Sequence, residues 1–308
     1  MNSKVIDLLS YAISGYNYQD FLNFISTIDG KEYDYIPIIV ESLLSKGEKL
    51  ILPCNAMDIC GTGGDVKSQT TNISTISAFV LASMGIPVAK HGGRSVSSQS
   101  GSMDFLSAMS IEDCDPLQSI KKHNICFLDA RKYHSFFKNI APFRKQYGKP
   151  TIFNMLGPLL NPATIAHQMV GISFMNLKGY AKVLDRLGRQ NFAVVQSCSG
   201  ADELLSFEDN LMYTRGGKTI ISPQEYNFPM SVDESIQGGT PKENAYMAVR
   251  FFENPQENTL FYTVSLNCGV ASFVYGASPT IQAGIDIAMD TILQKKPLNI
   301  LHALKAVK

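Results

Sequence analysis

Twice in close succession, a short apolar run ends in a glycine- and hydroxyl-rich loop that passes directly into an apolar helical pattern. The first instance is DICGTGGDVKSQTTNIST (58–75) and the second is IPVAKHGGRSVSSQSGS (86–102). Parallel strands need a crossover connection, usually a helix, so a repeated strand–loop–helix unit predicts a mostly parallel α/β sheet. The rest of the chain keeps this rhythm. Ile73, Ile76, Ala78, Phe79 and Ala82 mark a helix, and IPVAK reads as a buried strand ending at Lys90. SMDFLSAM and DPLQSIKKH are helical, the latter with Pro116 in its first turn, and ICFLD is a strand. KGYAKVLDRLG and NFAVVQS repeat helix and strand. LMYTRGGKTII breaks the alternation, and its Gly216-Gly217 pair between apolar runs predicts a β-hairpin. NTLFYTVSLNCGVASFVYG and PTIQAGIDIAMDTILQ read as amphipathic helices covering the sheet. The segment 141–163, with four prolines, reads as a crossover.

The first 50 residues differ in character. Val5, Leu8, Leu9, Ala12 and Ile13 share one helical face, followed by Phe21, Phe24 and Ile25, then Ile39, Leu43 and Leu44. The expected fold class is therefore α/β, a small N-terminal helical domain (1–50, joined in space by about 142–166) beside a larger α/β domain (51–308). At 308 residues such a division is ordinary, and it implies a cleft.

Composition removes several classes. The 27 basic residues balance 27 acidic ones, so no global charge draws the chain to nucleic acid or an anionic membrane. No apolar run approaches the roughly 18 residues of a membrane span, and the N-terminus lacks the pattern of a secretory signal, which points to the cytoplasm. Six cysteines contain no C-x-x-C pair, so a disulfide framework or structural zinc site is not expected. His123, His134, His167 and His302, each without a partner at ligand spacing, read as surface or cap residues.

The two loops carry the chemistry. Glycines at 61, 63 and 64 let backbone N–H groups approach a ligand, and Asn72, Ser74 and Thr75 sit where a helix begins. Taken alone, the first loop could equally be turn glycines and a helix cap. Its spacing is neither that of a dinucleotide fingerprint nor that of a P-loop. The second loop repeats the device with Lys90, further glycines and Ser95, Ser97, Ser98, Ser100 and Ser102. In an open parallel sheet ligands collect beyond the C-terminal strand ends, so both loops can face one molecule with two phosphate groups. Asp202 and Glu203, after NFAVVQS, reach the same edge, where adjacent carboxylates suit Mg²⁺; the alternative is a solvated first turn of a helix.

In this order, GTGGD…NIST, KHG-x-R-S-V-S-S-x-SGS, PFRKQYGKPTIFNMLGPLLNP and ADELLS resemble the anthranilate phosphoribosyltransferase family, and the likeness extends to GGTPKENA and SLNCGVA. The resemblance implies transfer of a phosphoribosyl group from 5-phosphoribosyl 1-diphosphate (PRPP) to anthranilate in tryptophan biosynthesis, with Mg²⁺ and a homodimer formed through the helical part. By motif position, Gly61, Gly64 and Asp65 would contact the diphosphate or the acceptor edge. Thr70, Asn72, Ser74 and Thr75 would complete that loop. Lys90, His91, Gly92, Gly93, Arg94, Ser97, Ser98 and Ser102 would bind the remaining phosphate and ribose groups. Ser74, Asp202 and Glu203 would serve the metal, and Arg144 would address the anthranilate carboxylate, with His91 beside that pocket. No side chain is needed as acid or base, and Lys90 acts electrostatically on the leaving diphosphate.

The chain departs from the family pattern: Gly93 stands where asparagine is usual, Val66 stands where glycine is usual with one residue more than usual between Asp65 and Asn72, the link between KGE and DICGTGG is shorter, and LFYTV replaces an arginine-aspartate pair before SLN. Gly93 keeps open a transferase with a different aromatic acceptor. A pyrimidine nucleoside phosphorylase would carry a differently spaced phosphate loop, and a non-catalytic, nucleic-acid-binding relative would show a basic surface and eroded carboxylates.

Overall fold

The computed structural model describes residues 2–63, 70–94, 100–111, 114–173 and 175–306. Three helices open the chain, α1 (Asn2–Ser14), α2 (Tyr18–Ile28) and α3 (Glu32–Ser45). The alternating part follows as β1 (Met57–Gly61), α4 (Ile73–Ser83), β2 (Val88–Gly92), α5 (Ser102–Ala108), α6 (Pro116–His123) and β3 (Ile125–Asp129). Then come α7 (Ala130–Tyr133), α8 (Phe136–Tyr147), α9 (Ile152–Leu156), β4 (His167–Gly171), α10 (Leu177–Arg186) and β5 (Asn191–Ser197). The hairpin β6 (Asn210–Thr214) and β7 (Gly217–Ile221) precedes α11 (Pro241–Glu253), α12 (Thr259–Tyr275), α13 (Ile281–Leu293) and α14 (Lys296–Lys305).

The strands form one sheet in the order β3-β2-β1-β4-β5-β6-β7. The first five are parallel, while β6 pairs antiparallel with β5 and β7 antiparallel with β6. Thr214 pairs with Gly217, which leaves Arg215 and Gly216 as a two-residue turn between the strands. Side chains alternate between the two faces, as the period of two demands. Met57, Ile59, Met169 and Val195 join the core beneath α4 and α11–α14, whereas Cys60, Val170 and Val194 join the core shared with α1–α3, α8, α9 and α10. Burial on both faces is the normal condition of a parallel sheet.

Several local expectations need correction. The second strand runs on to Gly92 rather than ending at Lys90, because Lys90, His91 and Gly92 pair with Phe127, Leu128 and Asp129. The crossover 141–163 is largely helical: Pro142 lies inside α8, and a 3-10 turn spans Gly157–Leu159. β4, at the centre of the sheet, opens with His167 and Gln168 and gave no apolar signal. α12 is not amphipathic; all its residues but Tyr262, Phe273 and Tyr275 are buried, as befits a helix apolar all round. His134 does cap α7, at its C-terminus, but both it and His167 are buried rather than superficial. His134 is bonded to the carbonyl of Leu160 at 2.6 Å, while His167 stacks near Tyr275 and pairs with Asn191. No helix among the described residues is long and apolar enough to cross a membrane.

Candidate active site

The C-terminal ends of β1, β2 and β5 lie on one edge of the sheet, and the segments leaving them surround a cavity of about 640 Å³. Gly61, Thr70, Asn72, Ser74, Thr75, Lys90, His91, Gly92, Gly93, Arg94, Ser102, Arg144, Asp202 and Glu203 all line it. Gly64, Asp65, Val66, Ser97 and Ser98 lie outside the described residues.

Close packing sets the glycine positions. The Asp202 turn rests on the ends of β1 and β4, so that a Cβ on Gly61 would fall on the Asp202 carboxylate and one on Gly171 on its carbonyl. Asp202 Oδ2 accepts a hydrogen bond from Gly63 N at 2.7 Å, and Glu203 Oε1 accepts one from the Thr70 hydroxyl at 3.1 Å. No helix follows this pair, contrary to the solvated-helix alternative. On β2, a Cβ at Gly92 would meet the Ser102 hydroxyl, which instead donates to Gly93 O at 3.4 Å. Arg94, more exposed, pairs with Asp104 at 3.1 Å.

Lys90 is buried beneath these loops. Its ammonium donates to Ile59 O at 2.6 Å and to the Ser74 hydroxyl at 3.1 Å. Burial lowers its pKa, opposed by the negative fields of neighbours that include Asp58, Asp202 and Glu203. A buried cation held by a carbonyl and a hydroxyl is a strong attractor for an anion in the cavity.

Beside it, Asp58 is fully buried and accepts from His91 N (3.2 Å), Asn161 Nδ2 (3.0 Å) and Gln168 Nε2 (3.4 Å). Burial raises its pKa, while Lys90, Asn161, the His91 N–H and Arg189 pull the other way. Gln168 in turn accepts from Arg189 Nε at 3.0 Å and donates to Pro158 O at 2.7 Å. This chain of bonds ties β1, β2 and β4 to the turn at 157–161. His91 Nδ1 lies 3.2 Å from Gly157 O, and burial with the neighbouring His134 drives its pKa down to about 3, so the ring is neutral. Its Nδ1 therefore carries the proton, and Nε2 is an acceptor.

The far wall is one face of α8. Phe137, Lys138, Ala141 and Arg144 line the cavity, spaced as helical neighbours are. Gly148, at φ +69, ends the helix one turn beyond Arg144. The Arg144 guanidinium is half-buried, has its pKa lowered by that burial, and finds no side-chain partner among the described residues. Thr71 Oγ1, Thr75 Oγ1 and His91 Nε2 are buried around the same cavity with no hydrogen-bond partner among the described residues. Such atoms suit a polar ligand.

For a metal, the donors here are all oxygens: two carboxylates and the Ser74 and Thr70 hydroxyls. Among the described residues no group of three His, Cys, Asp or Glu gathers into a protein cage. Mg²⁺ fits such a site, because it is commonly bound by one or two carboxylates together with phosphate oxygens and water.

The pattern of the glycosyl transferase family, a/b domain, matches residues 54–295. A Desulfitobacterium hafniense (strain Y51) anthranilate phosphoribosyltransferase is 36% identical over 292 residues, covering 91% of this chain and 85% of the relative. The chain belongs to the anthranilate phosphoribosyltransferase family. The Endomicrobium trichonymphae anthranilate phosphoribosyltransferase is likewise 36% identical, over 89% of this chain and 84% of its own. The crystal structure of the Thermus thermophilus anthranilate phosphoribosyltransferase superposes with a TM-score of 0.90 at 29% identity, covering 99% of this chain and 95% of that one. A Saccharomyces cerevisiae anthranilate phosphoribosyltransferase in complex with PRPP and Mg shares the fold, with a TM-score of 0.82 at 23% identity over 93% of this chain and 84% of that one.

Within this anthranilate phosphoribosyltransferase fold, the cavity also takes residues that motif reasoning passed over. Arg131 and Lys138 add cations, Asn154, Gly157 and Pro158 shape the Arg144 side, and Gly238, Gly239 and Asn244 close the loop side. The helical spacing from Arg144 through Ala141 back to Phe137 was a usable signal. Nothing in the local sequence links Asn244 to Asn72, 172 residues away.

Proposed function

We propose that this chain transfers the 5-phosphoribosyl group from PRPP to the amine of anthranilate, giving N-(5-phosphoribosyl)anthranilate and diphosphate. The observation that carries this reading is the convergence of two anion-holding loops, a carboxylate pair and the guanidinium of Arg144 on one cavity. Gly61 and the 70–75 segment take the diphosphate side. Lys90 to Arg94 and Ser102 take the remaining phosphate and ribose. Asp202 and Glu203, with Ser74, hold Mg²⁺, which when bound neutralises charge on the leaving diphosphate.

As the bond from the anomeric carbon to diphosphate breaks, negative charge grows on the leaving group, and the buried Lys90 ammonium at the cavity stabilises it. An arylamine is itself nucleophilic, so the chain mainly has to orient it. The Arg144 fork holds the carboxylate, the face of α8 confines the ring, and neutral His91 offers an acceptor beside the amine.

The same proposal includes a two-part organisation, 1–50 with 142–166 against 51–308, a homodimer through the helical part, a cytoplasmic location and no nucleic-acid or membrane partner. Exposed Tyr11 and Tyr16 support the dimer, and the balanced charge supports the last point. The space at Gly93, whose Cβ direction meets, among the described residues, only Ala130 Cβ at 4.0 Å, favours a second reading in which another aromatic amine is the acceptor. Both are tested by incubating the protein with PRPP, Mg²⁺ and each of several aminobenzoates, with mass analysis of products. One diphosphate per phosphoribosylanthranilate is the expected result. Turnover of another amine in place of anthranilate would favour the second reading.

A further inference from the structure

Asn72 occupies the N-cap position of α4 but does not cap the helix. Its side chain is used across the molecule instead: Oδ1 accepts from Ser100 Oγ at 3.0 Å and from Asn244 Nδ2 at 3.0 Å, while Nδ2 donates to Ser100 O at 3.4 Å. Asn244, buried in the first turns of α11, is engaged in the same way, because its Oδ1 accepts from Gly239 N at 2.7 Å. The segment before α11 lies along the first loop. Thr71 N donates to Ile236 O at 3.0 Å, and Thr70 forms an antiparallel bridge with Gln237. A capping box between Thr240 and Glu243 fixes the start of α11, so this strap hangs from a rigid end.

We propose that Asn244 is a positioning residue for the donor: through Asn72 it holds the loop after β1 and the loop after β2 at the spacing that one PRPP molecule requires. Asn244 acts through Asn72 and Gly239 and need not touch the substrate. An alanine would favour the helix by propensity, so an asparagine here serves contacts beyond α11. The inference rests on reading these loops as the PRPP site.

The test compares wild type, Asn244→Ala, Asn72→Ala and the double variant by steady-state kinetics, calorimetric titration with Mg²⁺ and PRPP, and thermal melting. For Asn244→Ala, the KM for PRPP and the calorimetric Kd rise about tenfold, as removal of one buried hydrogen bond allows, while the KM for anthranilate stays within about twofold. The double variant binds PRPP no more weakly than Asn72→Ala alone, because both changes break one link. Asn244→Asp keeps the acceptor for Gly239 but turns a carboxylate toward Asn72 Oδ1. It shows the same loss and serves if the alanine variant does not fold. A lower melting temperature with unchanged Kd and KM for PRPP would overturn the proposal and leave Asn244 a purely structural residue. Failure of the wild type itself to bind PRPP with Mg²⁺ would overturn the reading beneath it.

Discussion

Gly171 lies on the middle strand of the sheet, and its lack of a side chain is what allows the Asp202 turn to approach. Gly171→Ala places a methyl group on the Asp202 carbonyl, so the turn must shift. The expected outcome is a loss of about 1–3 kcal/mol in denaturant unfolding, together with a higher Mg²⁺ concentration for half-maximal activity. Arg144 gives the complementary case on the acceptor side. Arg144→Ala raises the KM for anthranilate about 30-fold or more, the lower end of roughly 2–5 kcal/mol for removing one partner of a desolvated charge pair, and leaves the KM for PRPP near that of wild type. Arg144→Lys recovers only part of this, since a point charge lacks the two-pronged fork. At this scale, residues that line the cavity were legible because their types recur at strand ends: glycines, hydroxyls, Lys90 and the carboxylate pair. Residues that support them were not. Asn161 and Gln168 act on Asp58 from more than 100 positions away, and nothing in their own surroundings marks them.

Elements show the same division. Strands with an apolar signature and helices opened by Pro116 or Ser102 are readable from period and caps. β4 is not, because its first two residues are polar and are satisfied only inside the assembled sheet, Gln168 by Arg189 and Pro158 O. His134 looked isolated for a similar reason: its partner is a backbone carbonyl, which no sequence pattern reveals. The joint between β2 and the 157–160 turn, made by His91 and His134, has a measurable consequence. The His91 pKa falls from 6.5 to about 3 on folding, so between those values the unfolded chain binds more protons than the folded one. Stability therefore rises with pH in that window and is lost as pH falls below 6.5, by up to about 1.4 kcal/mol per pH unit. In urea titrations at pH 7, 6, 5 and 4, His91→Asn should show a shallower acid loss than wild type. Equal slopes would mean that His91 is not buried neutral.

For the molecule as a whole, a sheet buried on both faces leaves one edge for chemistry, and three parallel strand ends deliver donor loops, cation and carboxylates to it. α8 and α9 supply the opposite wall, so the two sides of the cavity come from different parts of the chain. The α/β class was readable from the alternation; the path by which 141–163 folds into that wall was not, since its prolines signal interruption and say nothing of the helices between them. The most direct test of this account follows the fluorescence of anthranilate after mixing the purified protein with PRPP and Mg²⁺, beside a variant carrying Asp202→Asn and Glu203→Gln. Rapid loss of signal that the variant abolishes is the predicted result. Persistent fluorescence, with Mg²⁺-dependent PRPP binding intact, would contradict anthranilate as the acceptor.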